Sequence, residues 1–151
     1  MSKLTSLSKL SLTDMGLTVE AAANLAFARF LVAFVPTRHW STQFDRGVAS
    51  DNMDEARRDR ASKVSRAVRR AARNYPIDMV CLPQAMAARW MLKRRGILSQ
   101  IYFGMKLPPA EREFHAWLKI DQQWITGHCK ESEFAVLEHP GQFGRPSKQT
   151  P

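Results

Sequence analysis

Apolar residues follow two regimes along the chain, three- and four-residue steps up to Gly96 and short alternating runs beyond it. The segment AAANLAFARFLVAF, preceded by Thr18 as an N-cap and Glu20 in the first turn, predicts a helix ending at Pro36. Its surface is apolar nearly all round, which asks for burial on more than one side. Ala61, Val64, Val68, Ala71, Ala72 and Tyr75 share one helical face, and Pro76 ends that helix. A third helix begins at Cys81 and admits Pro83 in its first turn. It closes with Lys93, Arg94 and Arg95 before Gly96, a fit to the dipole and to a left-handed cap.

After Gly96 the pattern predicts strands at 98–105, 114–120 and 124–127, the last two joined by an Asp-Gln-Gln turn, and a further strand at 134–139. Helices first and strands last imply an α+β domain with a mainly antiparallel sheet. The expected organisation is a loose segment at 1–16, one domain at 17–139 whose N-terminal part is helical, and a mobile tail at 140–151.

Composition narrows this picture. The 151 residues suit one domain with a real core, and 44% hydrophobic residues argue against a largely disordered chain. Net charge is +9, and Arg57 to Arg73 alone holds eight basic residues against Asp59. Such a face favours an acidic partner without naming it. Only Cys81 and Cys129 occur, and the N-terminus has no apolar run before a small-residue cleavage site, so a reducing cytoplasm is expected. The apolar stretch from Ala21 to Pro36 is shorter than the roughly 20 residues of a membrane span and carries Arg29. A buried or partner-facing helix is the expectation.

The candidate chemistry lies at Cys81. A helix N-terminus favours an ionised thiol, and its free N–H groups can bind the oxyanion formed when a peptide carbonyl is attacked. A histidine would then take the thiol proton and return it to the leaving amine. Of His39, His115, His128 and His139, His115 is the most suggestive, at the start of a strand that alternates His115, Trp117 and Lys119 with Ala116, Leu118 and Ile120. With the apolar set on the core, His115 points the opposite way. With the His115 face on the Cys81 helix, thiol and imidazole meet. The bland alternative is a core cysteine and a structural histidine.

CLPQAMA from Cys81, LKRRGI (92–97), YFGM (102–105) and FHAWL (114–118), together with LTVEA (17–21), ARF (28–30) and VPTR (35–38), give a wider pattern. Over residues 17–138 the chain resembles the leader peptidases of lasso-peptide biosynthesis, which are transglutaminase-like cysteine peptidases of the microcin-processing type. The resemblance implies a papain- or transglutaminase-like fold, with Cys81 as nucleophile and His115 as base for cutting the bond between leader and core peptide. It implies no cofactor or metal. As partners it implies the precursor peptide, a separate leader-recognition protein and an ATP-using lasso cyclase.

The family is expected to add an Asp on the strand after the histidine. The only Asp beyond His115 is Asp121, which six strand residues at about 3.3 Å each place roughly 20 Å away. With Asp121 and Gln122 as a two-residue turn, Ile120 faces Gln123 and His115 falls opposite His128; a longer turn shifts this towards Lys130. The third position then lies near Gly127 or His128. It leaves a Cys–His dyad, an orienting group such as Thr126 or Glu131, or a homologue without activity.

Two other classes compete. Cys81, His115, His128 and Cys129 would form a Cys₂His₂ metal set, but adjacent His128 and Cys129 depart from the usual ligand spacing. The Arg57–Arg73 face could bind nucleic acid through phosphates, yet no aromatic interleaving or nucleic-acid motif accompanies it. A docking surface for an acidic peptide or protein is the better expectation for that face.

Overall fold

A computed structural model describes residues 11–40, 53–108 and 113–137. The expectations for residues 1–10 and for the tail from 138 onward, His139 included, lie outside these. Three helices, α1 (Leu12–Phe34), α2 (Glu55–Asn74) and α3 (Cys81–Arg94), precede four strands, β1 (Gln100–Lys106), β2 (Phe114–Ile120), β3 (Gln123–Thr126) and β4 (Phe134–Leu137). The strands form one antiparallel sheet in the order β3-β2-β1-β4. This is the α+β architecture the residue pattern implies.

α1 starts earlier than its apolar pattern suggests. Ser11, not Thr18, is the N-cap, and its hydroxyl accepts from the Asp14 amide at 3.1 Å. Thr18 sits inside the helix, where its hydroxyl donates to the Asp14 carbonyl at 2.7 Å. With 23 residues, α1 is long and apolar enough to cross a membrane by length and composition. Only Ala21, Leu25 and Ala28 on it are fully buried, so the helix packs on one side rather than several.

α2 is capped by Asp54, whose side chain accepts from the Arg57 amide at 2.7 Å, and it buries Ala61, Val64, Ala67, Val68 and Ala71. The expected apolar face is therefore the inner face. α3 is the central helix, and its small residues Ala85, Ala87 and Ala88 let it pack closely between α1, α2 and the sheet. Its end is a Schellman motif: Ile97 N–H donates to the Leu92 carbonyl and Gly96 N–H to the Lys93 carbonyl, both at 3.0 Å, with Gly96 at φ +68°.

On the sheet, Ala116, Leu118 and Ile120 join the helical core, while Trp117 anchors a second apolar layer on the opposite face. Tyr102, Trp124 and Phe134 have ring centroids 6.0–6.4 Å from that of Trp117. Gly104 lies opposite His115 on β1, where a Cβ would come within 2.8 Å of the Trp117 ring. A glycine inside a strand here marks close approach of a side chain across the sheet.

Candidate active site at the start of the third helix

α3 begins at Cys81, with Val80 as an N-cap that offers no side-chain hydrogen bond. The first-turn N–H groups thus have no capping side chain of their own, and the positive end of the helix dipole stands beside the thiol. Gln84 fixes the approach to this turn by donating from Nε2 to the Met79 carbonyl at 2.5 Å.

Cys81 meets the sheet at an open stretch of strand. β2 pairs with β1 along Phe114 to Lys119, but with β3 only from Leu118 to Ile120. Between His115 and Trp117 the β3-side edge of β2 is left unpaired by a strand, and there the Ala116 N–H donates to Cys81 Sγ at 3.4 Å. The thiol therefore lies against the amide that follows His115 in the chain. Of the two packings open from sequence, the first holds, with the apolar set on the helical core and His115 on the Trp117 face. Contact at the strand edge brings the thiol to the histidine segment without requiring the second.

Beyond the hairpin tip the register changes. The two-residue turn forms as expected, with Asp121 at φ +49° and Ile120 facing Gln123, so Asp121 is at the far end of β2 from His115. A bulge then inserts Ile125, and Leu118 faces Thr126 rather than Ile125. The Ser65 hydroxyl of α2 donates to the Ile125 carbonyl at 2.6 Å, which satisfies that bulged carbonyl. Every position after the bulge is displaced by one, and β3 ends at Thr126. His128, placed opposite His115 by an unbroken ladder, instead packs on Trp124 with ring centroids 4.8 Å apart.

His115 Nε2 lies 2.9 Å from the Gly127 carbonyl oxygen. A carbonyl can only accept, so this bond requires the proton on Nε2 and leaves Nδ1 as the basic nitrogen of the neutral ring. Neither side chain considered for an orienting role takes that place. Glu131 accepts from Trp117 Nε1 and Lys119 Nζ, each at 3.1 Å, and the buried Thr126 hydroxyl has no hydrogen-bond partner among the described residues. The backbone of Gly127 was signalled in sequence only by the residue type: φ is +68°, and a Cβ would run into the Ala116 carbonyl and sit 2.9 Å from Trp117 Cα.

The four residues of the metal set do not come together: among the described residues no group of three or more His, Cys, Asp or Glu could hold a metal ion. Both cysteines are free. The Cys129 thiol is pushed up from its ordinary pKa, first by burial and then by Glu131 and Glu133, so it is a poor thiolate at neutral pH.

A model of the transglutaminase-like superfamily matches residues 21–139. The chain belongs to that superfamily. The match runs from within α1 through α2, α3 and the sheet, and the superfamily includes cysteine peptidases. No curated protein and no solved structure matches the chain.

Proposed function

We propose that the protein is a cysteine peptidase that removes the leader from a lasso-peptide precursor, with Cys81 as nucleophile and His115 as general base. The observation that carries this reading is the hydrogen bond from Ala116 N–H to Cys81 Sγ, which joins a thiol at a helix N-terminus to the strand segment bearing the histidine. Family membership over residues 21–139 supports the reaction class. The sequence likeness of residues 17–138 to lasso leader peptidases supports the substrate.

In this mechanism His115 Nδ1 takes the thiol proton and Sγ attacks the carbonyl joining leader to core. The tetrahedral oxyanion faces the N–H groups of the first turn of α3, which no capping side chain competes for. Collapse breaks the C–N bond, the core peptide leaves as an amine carrying the proton from the imidazolium, and the leader stays as a thioester on Cys81. Water, deprotonated by His115, then hydrolyses the thioester and restores the thiol. Gly127 acts as the orienter, its carbonyl holding the imidazole through Nε2. The working unit is a Cys–His pair steadied by a main-chain oxygen in place of a carboxylate. A separate recognition protein delivers the leader, and a cyclase consumes the freed amine.

The test is incubation with a lasso-peptide precursor and a separate leader-recognition protein, followed by mass measurement. The wild type should release a leader with a free carboxylate, and Cys81→Ala and His115→Ala should each abolish release while keeping the wild-type circular dichroism spectrum. Cleavage at the normal rate by either variant overturns the assignment.

A further inference from the structure

α1 presents an uninterrupted apolar face away from the protein. The large side chains Leu12, Met15, Val19, Phe27, Phe30 and Phe34 are each between 45% and 84% exposed. From Met15 to Phe34 every other exposed position is glycine or alanine. At 3.6 residues per turn these positions fall within an arc of about 120°, opposite the buried Ala21, Leu25 and Ala28. Such a face exceeds the scattered apolar residues of an ordinary surface and marks a binding site.

Cations line both flanks of the stripe. On one, Arg70 of α2 donates to Thr18 Oγ1 at 2.9 Å, and Arg29 belongs to α1 itself. On the other, Arg94 of α3 donates to Glu20 Oε1 at 2.7 Å and to Asn24 Oδ1 at 3.1 Å, and Arg95 donates to Glu20 Oε2 at 2.5 Å. The charge of the molecule is divided the same way. Described residues 11–95 carry fourteen Lys and Arg against six Asp and Glu, whereas those from 96 to 137 carry three against four.

We propose that α1 docks this protein on an anionic lipid surface, with its phenylalanine stripe in the headgroup–acyl boundary and the flanking guanidinium groups among lipid phosphates. An apolar strip without a hydrogen-bonding side chain, bordered by cations on both sides, matches acyl chains beneath anionic headgroups. A second copy of the chain matches it less well, because its equally basic helical layer would be repelled. Docking is peripheral. Spanning would pull Glu20 from Arg94 and Arg95 and strip Leu25 from the core.

Co-sedimentation of the full chain with vesicles tests this without reference to catalysis. Vesicles of equal parts phosphatidylcholine and phosphatidylglycerol should bind the wild type, pure phosphatidylcholine vesicles should bind it less, and added salt should weaken the anionic case. Phe30→Ser with Phe34→Ser should weaken binding by at least about tenfold with an unchanged circular dichroism spectrum, given the apolar area removed. Val136→Ser, at an exposed apolar residue on the sheet, should not change it. No binding to anionic vesicles at low salt, or binding undiminished in the double variant, overturns the proposal. So does a wild-type dimer that fails to bind vesicles and that the double variant dissociates, since a second copy then occupies the face.

Discussion

His115 is tied through Nε2 to the main-chain oxygen of Gly127 at 2.9 Å, and this one bond selects which imidazole nitrogen is basic. A carboxylate in that place would hold the ring and also stabilise its charged form. A carbonyl fixes the same ring nitrogen through a weaker, neutral hydrogen bond and brings only a dipole. The ring is thereby held by a backbone conformation, which a motif reports only through the glycine that permits it, rather than by a side chain, which a motif can report directly.

Gly127→Ala should therefore act on both stability and rate. The new Cβ meets the Ala116 carbonyl and Trp117 at a residue whose φ of +68° already disfavours a side chain. Unfolding free energy should fall by about 1–3 kcal/mol, as for other forced overpacking. Relief of the clash displaces the Gly127 oxygen, so kcat should drop by more than the loss of folded protein accounts for. Denaturant titration alongside kcat measured well below the unfolding transition separates the two effects.

The same strand predicts a purely structural variant. Gly104→Ala places a methyl group 2.8 Å from the Trp117 ring, in a layer where Trp117 is fully buried. A loss of about 1–3 kcal/mol is expected from the overpacking. Thermal unfolding followed by tryptophan fluorescence would record it.

Much of this arrangement was legible in the chain. The Cys81 helix was bounded correctly by Pro83 and Gly96 because both residues act through local backbone geometry, and β2 was bounded by its alternation. Two features were not legible. The start of α1 depended on Ser11 bonding to the Asp14 amide, a local contact that competes with the equally suitable Thr18. The bulge at Ile125 depends on Ser65, 60 residues away, donating its hydroxyl proton to the displaced carbonyl. No pattern within QWIT reports a hydrogen bond from another helix, so the register beyond it was out by one.

Glu131, taken from sequence as a possible orienter, instead anchors the outer layer. It receives Trp117 Nε1 and the ammonium of Lys119, a residue only 8% exposed. Glu131→Ala leaves a mostly buried cation and an indole N–H without this acceptor and should cost about 1–2 kcal/mol, the exposure of the Glu131 carboxylate keeping the loss below that of a fully buried pair. Glu131→Gln keeps one acceptor oxygen and should cost less. Comparing the two by urea denaturation distinguishes loss of the hydrogen bonds from loss of the charge.

Thiol labelling offers a test of which cysteine is chemically available. Burial and the neighbouring Glu131 and Glu133 raise the Cys129 pKa, so its thiolate fraction at neutral pH is below that of an ordinary cysteine. Iodoacetamide at pH 7 should therefore modify Cys81 well before Cys129, and Cys129 labelling should rise as the pH is raised. Peptide mass mapping at successive times reads both sites at once, and faster labelling of Cys129 would contradict the ordering.

The clamp between α1 and α3 should make stability depend on pH in a predictable direction. Hydrogen bonding to Arg95, then to Arg94, with the charge of both, holds Glu20 below the ordinary carboxylate range despite the opposing effect of burial. A depressed folded-state pKa means that the clamp contributes fully above the unfolded value near 4.5 and is lost as the pH falls through the lower folded value. Glu20→Gln should thus be less stable than wild type at pH 7, by up to about 1 kcal/mol for so partly exposed a pair. The gap should close as the pH is lowered below 4.5, since the wild-type carboxyl then becomes neutral as well. Melting temperatures of both proteins across that range would show the curves converging on the acid side, whereas parallel curves would mean that the Arg94 and Arg95 contacts hold α1 by shape rather than charge.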